Sequence, residues 1–212
     1  MGPVVNLRPV SSPTGTLSDI RLVAAVAAGD ADALGTLFER HNRSVYRFLA
    51  RMAPLDRGCF DDLVQNTFLA AREGAGRFRG KSEVKSWLLA IAANVLKNHI
   101  RGEIRRRRAM DRMKSMPCDT AAPSPETTFE AEVAMRHVVR ALDDMSHKLK
   151  VVFVMCDLEG IPGTEAARCL NLREGTVWRR LHDARHQLRR AIETEQGDRR
   201  CREAQRCRGV QR

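Results

Sequence analysis

The chain has a single tyrosine, no CxxC pair, no HExxH string, no glycine-rich phosphate loop and no long apolar run. Each absence removes a class of function. Tyr46 stands one step off the buried stripe of its helix with no His/Arg cluster around it, which leaves DNA strand transfer without a set nucleophile and makes Tyr46 a packing residue. Without paired carboxylates or HExxH there is no pattern for metal-assisted hydrolysis. The six cysteines are Cys59, Cys118, Cys156, Cys169, Cys201 and Cys207. They form neither a zinc ribbon nor a thioredoxin-like motif and fit a reduced compartment. Cys59, Cys156 and Cys169 read as small buried hydrophobes. No apolar stretch approaches the roughly 18 residues a spanning helix needs. The opening "MGPVVNLRPVSSPTG" lacks a signal-peptide core, and Asn6 stands where a myristoylation signal wants Ser or Thr. A soluble, cytoplasmic protein with no membrane partner is expected.

Positive charge is abundant. Lys and Arg number 37 against 26 Asp and Glu, a net charge of +11, in a chain that is still 43% hydrophobic. That supports one or two small cores and makes nucleic acid the first partner to consider. No β-alternation persists and no internal repeat shows, so an all-α fold is expected. Two small helical domains are predicted, joined by a flexible linker, the second ending in a helix-turn-helix. The limits are a disordered N-terminus over 1–16, a first domain over 17–110, a linker over 111–128, a second domain over 129–192 and a basic tail over 193–212. The linker is set by "SMPCDTAAPSPETT", Ser115 to Thr128, whose prolines and small polar residues sustain neither helix nor core.

In the first block, Leu34, Leu37, Phe38, His41, Val45, Phe48, Leu49 and Met52 recur at helical spacing. A shorter helix precedes them, Ile20 to Ala28, ended by Gly29. Another follows over Asp61 to Arg72, with Leu63, Val64, Phe68 and Ala71 inward. Ser82 reads as an N-cap for a helix with Val84, Trp87, Leu88, Ile91, Ala92 and Val95 inward. That helix runs into the basic string "RGEIRRRRAMDRMK". In the second block, which begins near Phe129, a helix over Ser146 to Leu158 buries Leu149, Val152, Phe153 and Cys156. Pro162 suits a helix start, Ala166, Ala167 and Leu170 form an inner face, and Asn171 can take the left-handed conformation that ends it. The helix after it presents Arg179, His182, His186 and Arg190 on one side and Val177, Leu181, Ala184, Leu188, Ala191 and Ile192 on the other. Spacing and charge are those of a helix-turn-helix whose second helix enters the major groove.

These segments resemble the extracytoplasmic-function (ECF) sigma factors of bacterial RNA polymerase. "DDLVQNTFLAA" from Asp61 is similar to that family's "EDLVQETFLRA". "RFRGKSEVKSWLLAIAANVLKNHIR" from Arg77 is similar to "RFRGxSxFRTWLxRIAxNxxxDxxR", and "LEGIPGTEAARCLNLREGTVWRRLHDAR" from Leu158 to "LEGLSYEEIAEILGISxGTVKSRLHRAR". The resemblance spans Leu17 to Ile192 and implies a non-enzymatic factor that binds core RNA polymerase and directs it to promoters.

It also implies a division of labour. Core polymerase would be bound by Asp61, Asp62, Leu63, Gln65, Asn66 and Phe68. For Asp61 and Asp62 a simpler reason, charge favourable at a helix N-terminus, would suffice; Gln65 has no local need. The minus-ten element would be met by Arg77, Phe78, Arg79, Trp87, Asn94, Asn98, Arg101, Arg105, Arg106, Arg107 and Arg108. Aromatics stack on unpaired bases, Asn offers paired donor and acceptor groups, and arginines hold backbone. Trp87, by its register, reads as core before platform. The minus-thirty-five element would be met by Arg173, Thr176, Trp178, Arg179, Arg180, His182, Asp183 and Arg185. Arg185 and Arg189 lie toward the buried side and suit phosphates, and Asp183 is expected either to accept from cytosine or to pair with Arg179 or Arg180. Trp178 and Asp183 replace the family's usual basic residues, Arg179 a small polar one and Asn66 a frequent Glu, so relatives' promoter sequences do not transfer. The resemblance implies no cofactor and no metal and admits an anti-sigma protein as a further partner. A metal site at His182 and His186, or a redox pair of Cys201 and Cys207, is disfavoured by spacing. A helix-turn-helix regulator independent of polymerase would explain the second block but leave the Asp61 helix and the basic extension without a role.

Overall fold

The computed structural model describes the backbone of residues 17–53, 57–113 and 141–209, and side chains of 17–53, 58–108 and 141–193. The expected N-terminal segment over 1–16, the Ser115 to Thr128 linker and the block start near Phe129 lie outside these residues. The described chain is helical throughout its regular elements: α1 Asp19–Ala27, α2 Ala31–Met52, α3 Arg57–Gly74, α4 Val84–Met113, α5 His147–Phe153, α6 Gly163–Cys169 and α7 Glu174–Gly209. Its described residues divide into two compact units, the first of residues 17–50 and 57–95 and the second of residues 51–53 and those from 96 on. From Lys97 to Arg108 no side chain of α4 is buried, so the basic extension adds nothing to a core.

In the first unit, α1 buries Leu22, Val23 and Val26 against α3 and the 3₁₀ turn Ala75–Arg77. Gly29, at φ 97°, ends it as read, because that backbone conformation strains any side chain with a Cβ. Asp30 then caps α2, its Oδ1 accepting from the amides of Asp32 at 2.9 Å and Ala33 at 3.1 Å. Helices α2 and α3 run antiparallel. Phe38 meets Phe68 with ring centroids 4.9 Å apart and Tyr46 meets Phe60 at 5.3 Å, so eight steps forward on one helix match eight back on the other. Tyr46 is thus a packing residue.

Asp19 fastens α1 to α2. Arg40 Nη1 donates to its Oδ1 at 2.6 Å, and His41 Nε2 lies 2.6 Å from Oδ2. Burial pushes the Asp19 carboxyl up, but the hydrogen bonds and charges of Arg40 and His41 outweigh it and hold the group below its ordinary range. A lowered carboxylate pKa stabilises the fold above the unfolded-state value and ceases to do so as pH falls through the folded one. Asp19→Asn is therefore expected to cost about 0.5–1 kcal/mol at neutral pH and nothing measurable in acid, where the wild-type carboxyl is protonated too. Denaturant unfolding of both proteins across pH checks this; an equal loss at every pH would refute it.

In the second unit, α5 is shorter than expected. Its last turn opens into a π turn over Val154–Leu158, with the Glu159 amide donating to the Val154 carbonyl at 2.9 Å. The extra residue per turn rotates Cys156 half out, and Leu149 is likewise only half-buried, while Val151, Val154 and Met155 are inside. Lys150 is buried among them, which hydrophobic spacing could not foresee, with Nζ donating to Asp143 Oδ1 at 2.9 Å. Both α5 and α6 pack on α7, burying Val177, Leu181 and Ala184. The expected tail from 193 continues this helix to Gly209. It contains no proline to break that helix.

Candidate polymerase and promoter interfaces

Helix α3 begins at Arg57, a full turn before Asp61, and its first turn carries no acid. The macrodipole therefore does not account for Asp61 and Asp62, and the simpler reason offered by the sequence falls. Leu63, Val64, Thr67 and Phe68 are buried, with Thr67 Oγ1 donating to the Leu63 carbonyl at 2.7 Å. Asp61, Asp62, Gln65 and Asn66 are exposed. Leu69, i+4 from Gln65 and i+3 from Asn66, completes their outer face and is 40% exposed. Sequence reasoning missed Leu69, although that spacing was available. Phe38 was expected inside; it is 38% exposed and covers only the edge of Phe68. Of the residues the resemblance assigned to core polymerase, Leu63 and Phe68 are buried beneath this face.

The fourth helix starts one residue later than read. Glu83 flanks it, its carbonyl accepting from Trp87 at 3.1 Å, so Ser82 lies beyond the N-cap position. Its inner face is Val84, Leu88, Leu89, Ala92, Ala93 and Leu96, rotated about one step from expectation. Trp87, Ile91 and Val95 are half-exposed flank instead. Val84, Leu88 and Ala92 are inside as read, but Leu89, Ala93 and Leu96 are buried where spacing draws the stripe through Trp87, Ile91 and Val95. Trp87 consequently lies half-exposed against half-exposed Phe78, ring centroids 4.8 Å apart, and exposed Arg77 and Arg79 flank Phe78.

One register runs outward along α4: Trp87, Ile91, Asn94, Asn98, Arg101, Arg105 and Arg108, each three or four residues from the last. Asn94 and Asn98 are exposed with both amides unengaged by described side chains. Asn98, Arg101, Arg105 and Arg108 line a shared open hollow. Arg106 lies off this register and is held by Glu103; Arg107 is exposed beside it. An aromatic pair, then two carboxamides, then a ladder of guanidinium groups is chemistry for bases at one end and phosphates at the other.

The helix-turn-helix is closed by a Schellman turn. Asn171, at φ 52°, passes its amide to the Arg168 carbonyl at 3.2 Å, and Leu172 donates to the Ala167 carbonyl at 2.8 Å. Pro162 is the N-cap of α6 rather than its first helical residue. The carbonyl of exposed Arg173 accepts from Thr176 and Val177 at 2.8 and 3.2 Å and starts α7. Trp178, Arg179, His182, Asp183 and His186 are exposed and Arg180 half so. The His182 and His186 rings stack with centroids 6.4 Å apart. Among the described residues no group of three His, Cys, Asp or Glu side chains could hold a metal.

Arg185 was assigned to DNA; it is bound by Asp157 of the π turn, Nε donating to Oδ2 at 2.8 Å and Nη2 to Oδ1 at 2.6 Å. A two-point pair of this kind fixes α7 against the turn before it. Asp183 has no arginine partner among the described residues, and His182 Nδ1 lies 3.6 Å from its Oδ1. Beside the Asp157 pair, burial first and then the neighbouring carboxylate push the Cys156 thiol up, against the pull of Arg185, so it stays protonated.

Comparison with known proteins joins these parts. A family model described as sigma-70 region 2 matches residues 37–107, and one described as sigma-70, region 4 matches residues 136–188. The ECF RNA polymerase sigma factor SigM of Mycobacterium tuberculosis is 35% identical over 175 residues, 82% of this chain and 85% of that relative. The ECF RNA polymerase sigma-E factor of Escherichia coli is 28% identical over 179 residues, 81% of this chain and 93% of its own length. CnrH, solved in complex with the cytosolic domain of CnrY, matches the fold with a TM-score of 0.59 at 24% identity, over 83% of this chain and 97% of that one. Sigma factor RpoE of Bartonella quintana, solved with the anti-sigma factor NepR, matches with a TM-score of 0.57 at 19% identity, over 75% and 96% of the two chains. With a helix-turn-helix behind a basic, Asn-bearing helix, both sigma regions in order and a relative this similar over most of both chains, the chain belongs to the ECF sigma factors of RNA polymerase.

Proposed function

We propose that the chain binds core RNA polymerase through the outer face of α3, opens and reads the minus-ten element with α4, and reads the minus-thirty-five element with α7. The observation that carries this is the single outward register of α4. Trp87 beside Phe78 offers a surface for an unstacked base, Asn94 and Asn98 offer hydrogen bonds to its edge, and Arg101, Arg105 and Arg108 neutralise the backbone beyond. A groove-binding regulator working without polymerase needs none of these.

In α7, Arg179, His182 and Asp183 reach base edges, and Arg173, Thr176 and Arg180 meet the backbone near the helix start. Asp183, without an arginine to order, serves as an acceptor for a cytosine amino group. The chain has no catalytic step of its own, uses no cofactor and works in the cytoplasm beside the polymerase. No helix among the described residues is long and apolar enough to cross a membrane. An anti-sigma protein is a fitting further partner, since structurally similar factors were solved with CnrY and NepR bound. Transcription in vitro with core polymerase on a library of genomic fragments tests the whole reading. Discrete start sites that appear only when the chain is added are expected; transcripts identical to those of core alone would overturn it.

A further inference from the structure

Gly163 is buried at the first position of α6, yet no left-handed φ calls for glycine there. Space does. A Cβ built on Gly163 would lie 2.8 Å from Cζ2 and 2.9 Å from Cη2 of Trp178, closer than carbon atoms pack. Glycine weakens a helix relative to alanine, so what this position provides is a seat for the indole. Trp178 in that seat is still 51% exposed. Its Nε1–H has no hydrogen-bond acceptor among the described residues, and it stands on the same turn as Arg179 and one turn before His182 and Asp183.

From these observations we infer that Trp178, positioned by Gly163, is an apolar reader of a thymine methyl group in the upstream promoter element. The bases of a duplex are stacked and closed to an indole, so the hydrocarbon it can meet on a major-groove floor is the C5-methyl of thymine. Long basic side chains read guanine and phosphate from flexible stems. A tryptophan seated on a backbone arrives already ordered, at little entropic cost. The half of the ring that Gly163 does not cover is the surface presented to the groove.

This inference rests on α7 being the groove helix, and the experiment keeps the two apart. Holoenzyme made with the full chain selects duplexes from a random pool, and thymines of the selected upstream element are replaced one at a time by deoxyuridine, which removes only the methyl. At one position the loss of the methyl should weaken wild-type binding about fourfold, the effect of one buried methyl-sized group. Trp178→Lys, a change at an exposed position, should be indifferent to the methyl there while keeping its other preferences. Gly163→Ala, which displaces the ring and leaves Trp178 in the chain, should lose the same discrimination. Tolerance of uridine at every position by wild type, or a methyl effect that survives in Trp178→Lys, would overturn the inference. Arg179→Ala and His182→Ala must shift the selected sequence at neighbouring positions; if neither does, the groove assignment of α7 fails and the methyl reading fails with it.

Discussion

Replacing Asp62 and Gln65 together by alanine is expected to weaken binding to core RNA polymerase about thirtyfold, the effect of losing one interface hot spot, while leaving helix content and unfolding unchanged. Both side chains are exposed, and neither has a hydrogen bond or ion pair within the described residues. Removing them deprives the fold of nothing, and surface changes of this kind fall within about 0.5 kcal/mol. The outer face they share with Asn66 and Leu69 is polar at one end and apolar at the other, with Phe38 adding exposed ring surface from α2. Exposed apolar surface beside unpaired polar groups is what a small interface offers. Leu69→Ala should therefore add to the loss. Affinity for purified core, measured by competition against the wild-type chain, decides the matter. Unchanged affinity in the double variant would remove α3 from the docking surface.

The parts of this fold that a sequence displays are those set by neighbours in the chain. Asn171 at the helix-turn-helix corner, Gly29 after α1, and the buried pairs Leu63 with Val64 and Leu181 with Ala184 follow from local spacing and backbone preference. What was not legible depends on partners far along the chain or on residues too small to mark a pattern. Asp157 and Arg185 are 28 positions apart and meet where the π turn lies against α7. A lysine inside α5 was unreadable without Asp143 beside it. On α4 the expected stripe runs one step off Leu89, Ala93 and Leu96, and so Trp87, on the border of the buried face, reads as core although it is half-exposed beside Phe78. The candidate site residues came mainly through resemblance to a family; geometry then showed Arg185 paired with Asp157 and Trp87 half-exposed beside Phe78.

That same register of α4 divides its arginines into unequal classes, which the run "RRRR" conceals. Arg105 and Arg108 continue the line of Asn94, Asn98 and Arg101, whereas Arg106 is held by Glu103 and Arg107 points off the line. A guanidinium contributes to DNA binding by displacing a counterion from a phosphate, so each one that reaches the backbone adds about 0.7–0.9 to the slope of log affinity against log salt. Alanine at Arg101, Arg105 and Arg108 together should lower that slope by about two to three and promoter affinity on the order of a hundredfold at moderate salt. Alanine at Arg106 and Arg107 should change the slope by less than about one, although it removes nearly as much charge. Because phosphates carry no sequence, the triple variant should still select the same promoters from a random pool. Holoenzyme binding titrated from low to high salt separates the two sets. Equal effects from both would show that only total charge matters, and a changed promoter choice would make the arginine ladder a reader of bases.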